Sequence, residues 1–597
     1  MKRLVFDATD EQIDSQTFLN IESILYCNKD IEEMLKDKSL QELEKINIDN
    51  DEIDYYYKLF LELLSKWLNK KHNEKHKKIY WETILTPWLY EFISRELYMY
   101  RGLDTLIDDE SYISDYYEDY EYLAAENLND SFDKLWSDKN FNKITYSLQM
   151  KYFQNISFVK KEISRPCIQC NHSSYADKIK RVLIHPRKIV EYVGRNLLII
   201  ILENSERLIG YDNRTVLRLP FPDTFHRRMK LLKLLLKSKF TIIPYMNKKN
   251  RLMFKYSMQD RNELIMYLKE KTDKDNSFCR ILTELIPYAL PKPYLEGYID
   301  MVNFVANFIK DRPRQIFGVS PFFTSDDFNM YTAYWREKGV LVVGAQHGLG
   351  YEFEKDIGIE EYIMSDIFYT WGNIHKNNNI KNKKFFAWDL QKNENVKGKG
   401  ANILYGLTDY NRCKYSIRYS KFIDYMYDNI VFLSNIDSKN HKNVVVRLRN
   451  TAEKNWQYSE KIQLKCPWVK FSDANIKSFI DDLRDTKVFV CDNISTCIAE
   501  SLINNIPTII FLDKTIIEKT FYEENYEILD QLAQAKILFY SPDDAAKHLN
   551  LVYDDVEKWW NDSFTQQIKN EFCEKYIKTD SNWLDKWCEL LMLEESV

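Results

Sequence analysis

Glycine and proline are scarce in this chain, with 14 of each among 597 residues. So low a content leaves little room for flexible linkers and indicates that most of the chain forms regular helices and strands. Cysteine is sparse as well, and the 10 cysteines show no paired pattern, which predicts reduced thiols of a cytoplasmic protein rather than a disulfide framework. Hydrophobic cores must therefore stabilise the fold, and a chain of this length can form two or three of them.

Neither sign of charge dominates, because 84 basic residues are balanced by 90 acidic ones and the net charge is -6. That balance gives no general attraction to nucleic acid, so nucleic acid is not an expected partner. The longest aliphatic run, Leu197 to Leu202, is far too short to span a bilayer. The first residues, MKRLVFDATDEQ, place acids where a signal peptide needs an apolar segment. We expect a cytoplasmic protein, with peripheral contact at the inner face of the membrane as a further option.

Several common catalytic motifs are missing. No GxxxxGK[ST], HExxH or GxSxG pattern occurs, which disfavours nucleotide hydrolysis, zinc proteolysis and the usual serine hydrolase chemistry. CIQCNH, at Cys167 to His172, is a single CxxC and a weak indication of zinc, so we expect neither a metal nor a cofactor. HRRMKLLKLLLKSKF, at His226 to Phe240, is a basic amphipathic helix that is more typical of a core helix than of a membrane contact.

The pattern of hydrophobic residues changes along the chain. Early segments such as YYYKLFLELLSKWL have helical periodicity, and later ones alternate short β-branched runs with helical patterns, as parallel sheets with crossover helices do. The predicted fold class is α/β, with two Rossmann-like domains facing a cleft. The predicted segments are a mainly helical region at 1–160, a first Rossmann-like domain at 161–375, a linker at 376–400, a second Rossmann-like domain at 401–560 and C-terminal helices at 561–597.

The first half of the expected cleft contains the loop AQHGLGYE, which follows the strand VLVV. Gln346, Gly348 and Gly350 surround His347, and the two glycines allow a ligand to approach the backbone closely. His347 could act as a general acid or base, or as a hydrogen-bond donor to an anionic oxygen. Candidate carboxylates are numerous, and the sequence does not choose among Glu352, Glu354, Glu360, Glu361, Asp366, Asp326 and Asp327. As catalytic residues we predict His347, Glu352 and Asp327, although a helix N-cap suits one of the two aspartates better.

The second half of the expected cleft is VCDNISTCIAESL, in which a strand ends and a helix begins. Hydroxyls at a helix start, beside unpaired backbone N–H groups, form a potential phosphate site. The predicted donor-binding residues are Arg447, Asn493, Ser495, Thr496 and Glu500. Two simpler interpretations stay open: Ser495 and Glu500 as an ordinary N-cap and surface acid, and Arg447 as half of an internal salt bridge.

Five blocks of sequence together resemble a family of transferases encoded in bacterial surface-polysaccharide loci, of the GT-B glycosyltransferase type. The blocks are YWETILTPWLYEF, LPKPYLEGY, AQHGLGYE followed by SDIFYTWG, CDNISTCIAESLINNIPTIIF, and SPDDAAKHLNLVYDDVEKWW. The resemblance implies a nucleotide-sugar donor held by the C-terminal domain and an acceptor held by the N-terminal domain, with transfer across the cleft without a bound metal. The first expectation for the donor is a CMP-activated ulosonic or nonulosonic acid, and for the acceptor a glycan, lipid-linked or protein chain.

Two other functions remain open at this stage. A polyol-phosphate transferase that uses a CDP-activated donor would also combine a His-Gly loop with a cytidine nucleotide site. A non-catalytic polysaccharide-binding or scaffold protein would need neither His347 nor a nucleotide.

Overall fold

The computed structural model describes most of the chain. Described are residues 2–5, 16–18, 36, 38–46, 48–163, 215–218, 240–242, 253–309, 312–319, 325–373, 381–388, 390–393, 395–396, 398–407, 422–448, 458–474 and 477–593. The CxxC motif and the basic helix, apart from Phe240, lie outside these residues. The same holds for RVLIHP and NLLIIILEN, two of the short β-branched runs that the sequence pattern predicts as strands.

The N-terminal region is built on long helices. Its helices are α1 Lys38–Leu43, α2 Asn50–His72, α3 Lys78–Leu106, α4 Tyr120–Leu123, α5 Leu128–Ser137 and α6 Lys139–Met150. The helical period of the sequence runs across Pro87, a residue that can also open a new helix. In the structure α3 continues through Pro87, because α3 is buried on nearly all sides from Tyr80 to Leu103 and packing outweighs the lost backbone hydrogen bond.

A four-stranded parallel sheet accompanies these helices, which the prediction of a mainly helical region omitted. The strands are β1 Lys2–Val5, β2 Gln16–Phe18, β3 Tyr112–Tyr117 and β4 Ile156–Lys161. Their order is β2-β1-β3-β4. Charged and aromatic residues interrupt the apolar alternation in these strands, so the strand periodicity is weak in the sequence.

The second sheet has six described parallel strands in the order β10-β9-β8-β7-β5-β6. The strands are β5 Thr215–Arg218, β6 Phe240–Ile242, β7 Gln315–Gly318, β8 Leu341–Ala345, β9 Ile367–Thr370 and β10 Lys381–Lys384. The helices of this domain are α7 Met258–Lys271, α8 Ser277–Ala289, α9 Tyr298–Ala306, α10 Asp326–Arg336 and α11 Ile359–Met364. Strand β10 falls inside the predicted linker 376–400, where its lysines are typical of an exposed edge strand.

The third sheet is also parallel, in the order β13-β12-β11-β14-β15-β16, which is the Rossmann order. Its strands are β11 Asn402–Gly406, β12 Val444–Arg447, β13 Lys470–Ser472, β14 Thr486–Cys491, β15 Thr508–Phe511 and β16 Leu538–Phe539. Its helices are α12 Phe422–Ser434, α13 Tyr458–Lys465, α14 Phe479–Arg484, α15 Thr496–Ile503, α16 Lys514–Thr520, α17 Tyr526–Gln534 and α18 Pro542–Val552. Strand order reverses between β11 and β14, and open α/β sheets bind ligands at that position.

The last described helices are α19 Val556–Trp560, α20 Ser563–Tyr576 and α21 Trp583–Leu593. The last of these helices returns to the second sheet, where Trp587 packs with Phe317 and Val343 in one core. The residues next to them in the strands, Ile316 and Val342, belong to the core shared with the N-terminal helices. Because neighbouring side chains of a strand point to opposite faces, α21 covers one face of the second sheet and the N-terminal helices cover the other.

Two Rossmann-like domains facing a cleft, with helical additions at both ends, thus confirm the predicted fold class. The chain passes between the domains twice, once through the segment around residue 390 and once after α20. The two crossings touch, since Ala387 N donates to the Lys578 carbonyl at 2.8 Å and Lys578 N donates to the Trp371 carbonyl at 3.1 Å.

Candidate functional site

The loop after β8 is held in place by Gln346, whose side chain is fully buried. Its Oε1 accepts a hydrogen bond from the backbone N of Trp371 at 2.9 Å, and its Nε2 donates to the Gly348 carbonyl at 2.7 Å. The Trp371 indole donates in turn to the Gln346 carbonyl at 3.0 Å. Gln346, one of the predicted loop residues, therefore supports the turn from behind and leaves the next residue, His347, at the surface.

His347 forms a connected group with two buried side chains. Its own side chain is 38% exposed, and its Nδ1 lies 2.6 Å from the hydroxyl of Tyr351. That hydroxyl donates to Oε2 of Glu361, whose side chain is 1% exposed. Oε1 of Glu361 lies 3.6 Å from Nδ1 of His347. We call these three residues the His–Tyr–Glu chain: a buried acid and a buried phenol behind an accessible imidazole.

Tyr351 is fixed within the first domain. Its ring stacks on Phe368 with ring centroids 6.0 Å apart, and a Cβ at Gly358 would come within 2.4 Å of the Tyr351 ring. Gly358 also has a φ of +82°, so only glycine suits this position on both counts. Burial raises the pKa of Tyr351 well above its ordinary value near 10, and the adjacent Glu361 raises it further. The phenol therefore keeps its proton at any pH at which the fold is expected to be intact.

The second domain contributes the start of α15. Ser495 is the N-cap residue, yet its hydroxyl makes no capping hydrogen bond, and the contact described for it is Cys491 Sγ at 3.8 Å. By contrast, the N-cap serines Ser257, Ser478 and Ser541 each accept from a backbone N–H of their helix. The hydroxyl of Ser495 and the first backbone N–H groups of α15 therefore have the arrangement of a helix N-terminus that binds an anion.

Arg447, at the end of β12, has the internal salt bridge that the sequence left open. Its Nη1 donates to Asp482 Oδ2 at 2.5 Å and its Nη2 donates to the Lys477 carbonyl at 3.1 Å. Asp482 is buried and also accepts from Ser472 Oγ at 2.6 Å. The guanidinium nevertheless borders the cavity, so its positive charge is partly offset and held in a fixed orientation.

A cavity of about 480 Å³ lies between the two domains and is lined by residues of both. The first domain lines it with His347, Gly348, Leu349, Gly350, Tyr351, Glu354 and Ile357, and the second with Gly406, Leu407, Arg447, Leu448, Ala474, Phe479, Cys491, Asn493, Ile494, Ser495, Thr496 and Cys497. A Cβ at Gly348 would lie 3.3 Å from Thr496 Oγ1. The predicted His-Gly loop and the predicted helix start are therefore opposite walls of one cavity, at the carboxyl ends of β8, β11, β12 and β14.

Backbone hydrogen bonds hold the His347 loop to the second domain at one end of this cavity. Tyr522 N donates to the Phe353 carbonyl and Lys355 N donates to the Thr520 carbonyl, both at 2.9 Å. Glu354 pairs with Phe521 as an antiparallel bridge between these bonds. The loop thus contacts both domains.

Two predicted catalytic carboxylates do not reach the cavity. Glu352 is fully buried, where its Oε1 accepts from Gly372 N at 2.9 Å, and burial raises its pKa well above the ordinary value. Asp327 lies buried in the first turn of α10 and accepts a hydrogen bond from Ser325 Oγ. Both carboxylates are used in packing the first domain, so neither is suited to touch a substrate in this cavity.

Asn493 and Glu500 differ in their position. Asn493 borders the cavity, and its Oδ1 accepts from Ile494 N at 2.8 Å, which shapes the turn before α15. Glu500 lies one turn into α15, half-buried and outside the cavity lining, and its carbonyl accepts from Asn504 Nδ2 at 2.7 Å. Of the predicted donor-binding residues, Arg447, Asn493, Ser495 and Thr496 line the cavity and Glu500 does not.

Asp326, the residue before Asp327 in α10, is also buried, and the effect of that burial on its pKa can be tested. Burial raises the pKa of Asp326 from 3.8 to about 6, while its Oδ2 accepts from Leu128 N at 2.9 Å. Because the pKa is raised by folding, the stabilisation that Asp326 gives is complete below pH 3.8 and is lost as the pH rises to 6, a loss of about 3 kcal/mol. Asp326→Asn keeps an acceptor for Leu128 and stays neutral. We expect it to raise the melting temperature at pH 7.5, and the gain to shrink at pH 4.5.

Asp300→Asn is the matched control, since Asp300 is an exposed acid in the first turn of α9. It should change the melting temperature little at either pH. A gain for Asp326→Asn that does not depend on pH, or a loss at pH 7.5, would contradict the buried, proton-binding role.

The residues predicted for the site did not include four that the structure places there, namely Tyr351, Glu354, Glu361 and Phe479. Tyr351 escaped notice because a tyrosine four residues after a histidine carries no motif, in a chain with 41 tyrosines. Glu361 and Glu354 were among the acids near the loop, but nothing in their spacing separates them from Glu352. Phe479 follows a capping serine and has no local signal for a ligand. In the structure Glu354 and Phe479 line the cavity, and Glu361 supports His347 from within.

Two further features concern metals and membranes. Among the described residues, no group of three or more His, Cys, Asp or Glu side chains is arranged to hold a metal ion. Within the same part of the chain, none of the helices combines the length and the apolar character that crossing a bilayer requires.

Two Rossmann-like domains with a shared cavity at their strand ends define the GT-B class of architecture. Within that class, the chain belongs to the LIC12162 family transferase group, whose family model matches residues 3–591. The expectation of a transferase is thereby confirmed. None of the curated proteins matches the chain in sequence.

Solved structures with a similar arrangement include several glycosyltransferases. WaaG, a glycosyltransferase involved in lipopolysaccharide biosynthesis, is 9% identical, with 64% of this chain and 100% of WaaG covered and a TM-score of 0.30. UGT89C1 of Arabidopsis thaliana, complexed with UDP, is 10% identical, with 67% and 97% covered and a TM-score of 0.31. The spinosyn rhamnosyltransferase SpnG, complexed with thymidine diphosphate, is 8% identical, with 63% and 99% covered and a TM-score of 0.29. At these similarities the neighbours define neither the donor nor the acceptor of this chain.

Proposed function

We propose that this transferase moves a sugar from a nucleotide-activated donor to a hydroxyl of a glycan, lipid-linked or protein acceptor. The observation that carries the proposal is the cavity between the domains, where His347 on one wall faces the start of α15 on the other. Glycosyl transfer needs an anion site for the leaving phosphate and a group that receives the proton of the acceptor hydroxyl. The two walls offer one group for each task.

On the donor side, Ser495, Thr496 and the first N–H groups of α15 bind the phosphate. As the bond between the anomeric carbon and the phosphate oxygen breaks, negative charge grows on that oxygen, and the positive end of the helix stabilises it. Arg447 adds a positive charge at the rim, held in place by Asp482. Phe479, whose ring packs edge-on against Phe489 with ring centroids 5.2 Å apart, offers an apolar surface to the nucleobase.

On the acceptor side, His347 receives the proton of the attacking hydroxyl. Glu354 also borders the cavity and is buried, so it is suited to accept hydrogen bonds from sugar hydroxyls rather than to bind phosphate. This division follows charge: the first domain brings a carboxylate to the cavity, and the second brings an arginine and a helix start.

For the donor we propose a CMP-activated ulosonic or nonulosonic acid. The described lining supports the phosphate site of such a donor, because the start of α15 and Arg447, which is paired with Asp482, both border the cavity. We place the reaction in the cytoplasm or at the inner face of the membrane, where a lipid-linked acceptor would be met.

A thermal-shift comparison of CMP, CDP, UDP, GDP and dTDP tests the proposal, because a ligand that binds only the folded state raises the melting temperature. We expect CMP to raise it most. Stabilisation by none of the five would contradict the donor site, and stronger stabilisation by another nucleotide than by CMP would overturn the CMP assignment alone. If CDP stabilises best, the mass of the product distinguishes transfer of a polyol phosphate from transfer of a sugar.

A further inference from the structure

The hydrogen bonds around Tyr351 constrain the position of the proton on His347. A tyrosine hydroxyl has one proton, and here it is donated to Oε2 of the buried Glu361. The same hydroxyl lies 2.6 Å from Nδ1 of His347 and 3.5 Å from its Nε2, so Nδ1 is the nearer nitrogen and the one placed to donate a proton to the tyrosine oxygen. The other ring nitrogen, Nε2, is left with its lone pair.

We infer that Tyr351 and Glu361 are positioning residues that keep His347 protonated on Nδ1, so that Nε2 is the atom that takes the proton of the acceptor hydroxyl. The inference rests on the proposed glycosyl transfer and names the base within it. A histidine with its lone pair on Nδ1 and its proton on Nε2 would have its basic nitrogen turned to Tyr351 and could serve only as a donor from Nε2.

The burial of Glu361 supports this direction of the hydrogen bonds in the His–Tyr–Glu chain. Glu361 is 1% exposed, and its Oε1 forms no hydrogen bond among the described residues while lying 3.6 Å from Nδ1 of His347. Such a carboxylate is stabilised by positive charge on the imidazole, which appears when Nε2 takes up a proton. Burial and Glu361 both raise the pKa of Tyr351, so the phenol stays a donor to the acid throughout.

The transfer step then balances within the cavity. The acceptor oxygen forms a bond to the anomeric carbon, and the bond from that carbon to the phosphate oxygen breaks with its electron pair passing to the phosphate. The hydroxyl proton moves to Nε2 of His347. The resulting imidazolium is paired with Glu361 through Tyr351, and the leaving phosphate is held at Ser495 and Thr496.

The direct test needs no turnover. In protein labelled with 15N-histidine, the resonances of His347 are identified by their loss in His347→Gln, and their chemical shifts report which ring nitrogen carries the proton. We expect Nδ1 protonated and Nε2 unprotonated in the wild type. Tyr351→Phe should shift the ring toward the Nε2-protonated form. A wild-type ring protonated on Nε2 would overturn the inference while leaving the donor site untouched.

A second test measures turnover of the variants. Tyr351→Phe is expected to lower kcat by about tenfold to a hundredfold, part of what a general base supplies, and to leave the KM of the donor within about twofold. In the His347→Gln background Tyr351→Phe should lower kcat no further, because Tyr351 and Glu361 act through His347. Since Tyr351→Phe leaves a buried acid without its donor, Tyr351→Phe with Glu361→Gln is made in parallel. Equal losses in both backgrounds would assign Tyr351 and Glu361 to structure alone.

Discussion

Replacing His347 by glutamine is expected to lower turnover by about a hundredfold to ten-thousandfold, the range that a positioned general base contributes. Glutamine keeps a polar side chain of similar size but cannot take up a proton. The effect should fall on kcat, because the phosphate is bound by the other domain, at Ser495 and Thr496. Steady-state kinetics together with a nucleotide titration would measure both quantities.

His441→Gln is the matched control for this substitution. His441 lies outside the cavity, stacked on Trp468 with ring centroids 3.6 Å apart, and its Nε2 contacts the Ile436 carbonyl at 2.9 Å. Its replacement should leave turnover unchanged. Wild-type turnover in His347→Gln would contradict the proposed base, and it would favour the interpretation of the chain as a binding or scaffold protein if nucleotides also fail to bind.

Removing both hydroxyls at the start of α15 is expected to weaken nucleotide binding by about a hundredfold or more. Hydrogen bonds to a charged group contribute about 1.5–3 kcal/mol each, and Ser495→Ala with Thr496→Val removes two of them. Because Ser495 makes no capping hydrogen bond, the double variant should keep nearly the wild-type melting temperature without nucleotide. The nucleotide-induced rise in melting temperature should disappear.

Ser541→Ala provides the comparison for the helix start. Ser541 caps α18 and accepts from Asp544 N at 3.4 Å, so its loss should cost about 1 kcal/mol of stability. Nucleotide binding should not change. The opposite pattern, with binding kept in the Ser495 and Thr496 variant, would mean that the phosphate lies elsewhere.

The sequence was sufficient for the parts of the fold whose signal is local. Runs such as VLVV and VVVR predict buried strands, and their carboxyl ends fix where a cleft must lie. From that geometry alone, His347, Ser495 and Thr496 could be placed near one another. At Pro87 the sequence left open whether a new helix begins, and packing on both sides of α3 overrides the local preference of proline.

The supporting residues could not be predicted in the same way. Glu352 and Glu361 both follow His347 closely, and only the fold turns the first toward Gly372 and the second toward Tyr351. Arg447 shows the same limit, since its partner Asp482 is 35 residues away in sequence. Side-chain direction in three dimensions, rather than residue type or spacing, separates the carboxylate beside His347 from the one that packs the first domain.

The most direct test of the central claim is to ask whether a nucleotide occupies this cavity. Cys497, at the start of α15, lines it and is partly accessible, so its alkylation can be followed by site-resolved mass spectrometry with Cys573, which lies outside the lining, as the internal reference. With the best-binding nucleotide at about 100 times its Kd, the rate at Cys497 should fall by up to about a hundredfold, because only the ligand-free protein reacts. A nucleotide that stabilises the protein but leaves the alkylation rate of Cys497 unchanged would contradict the account.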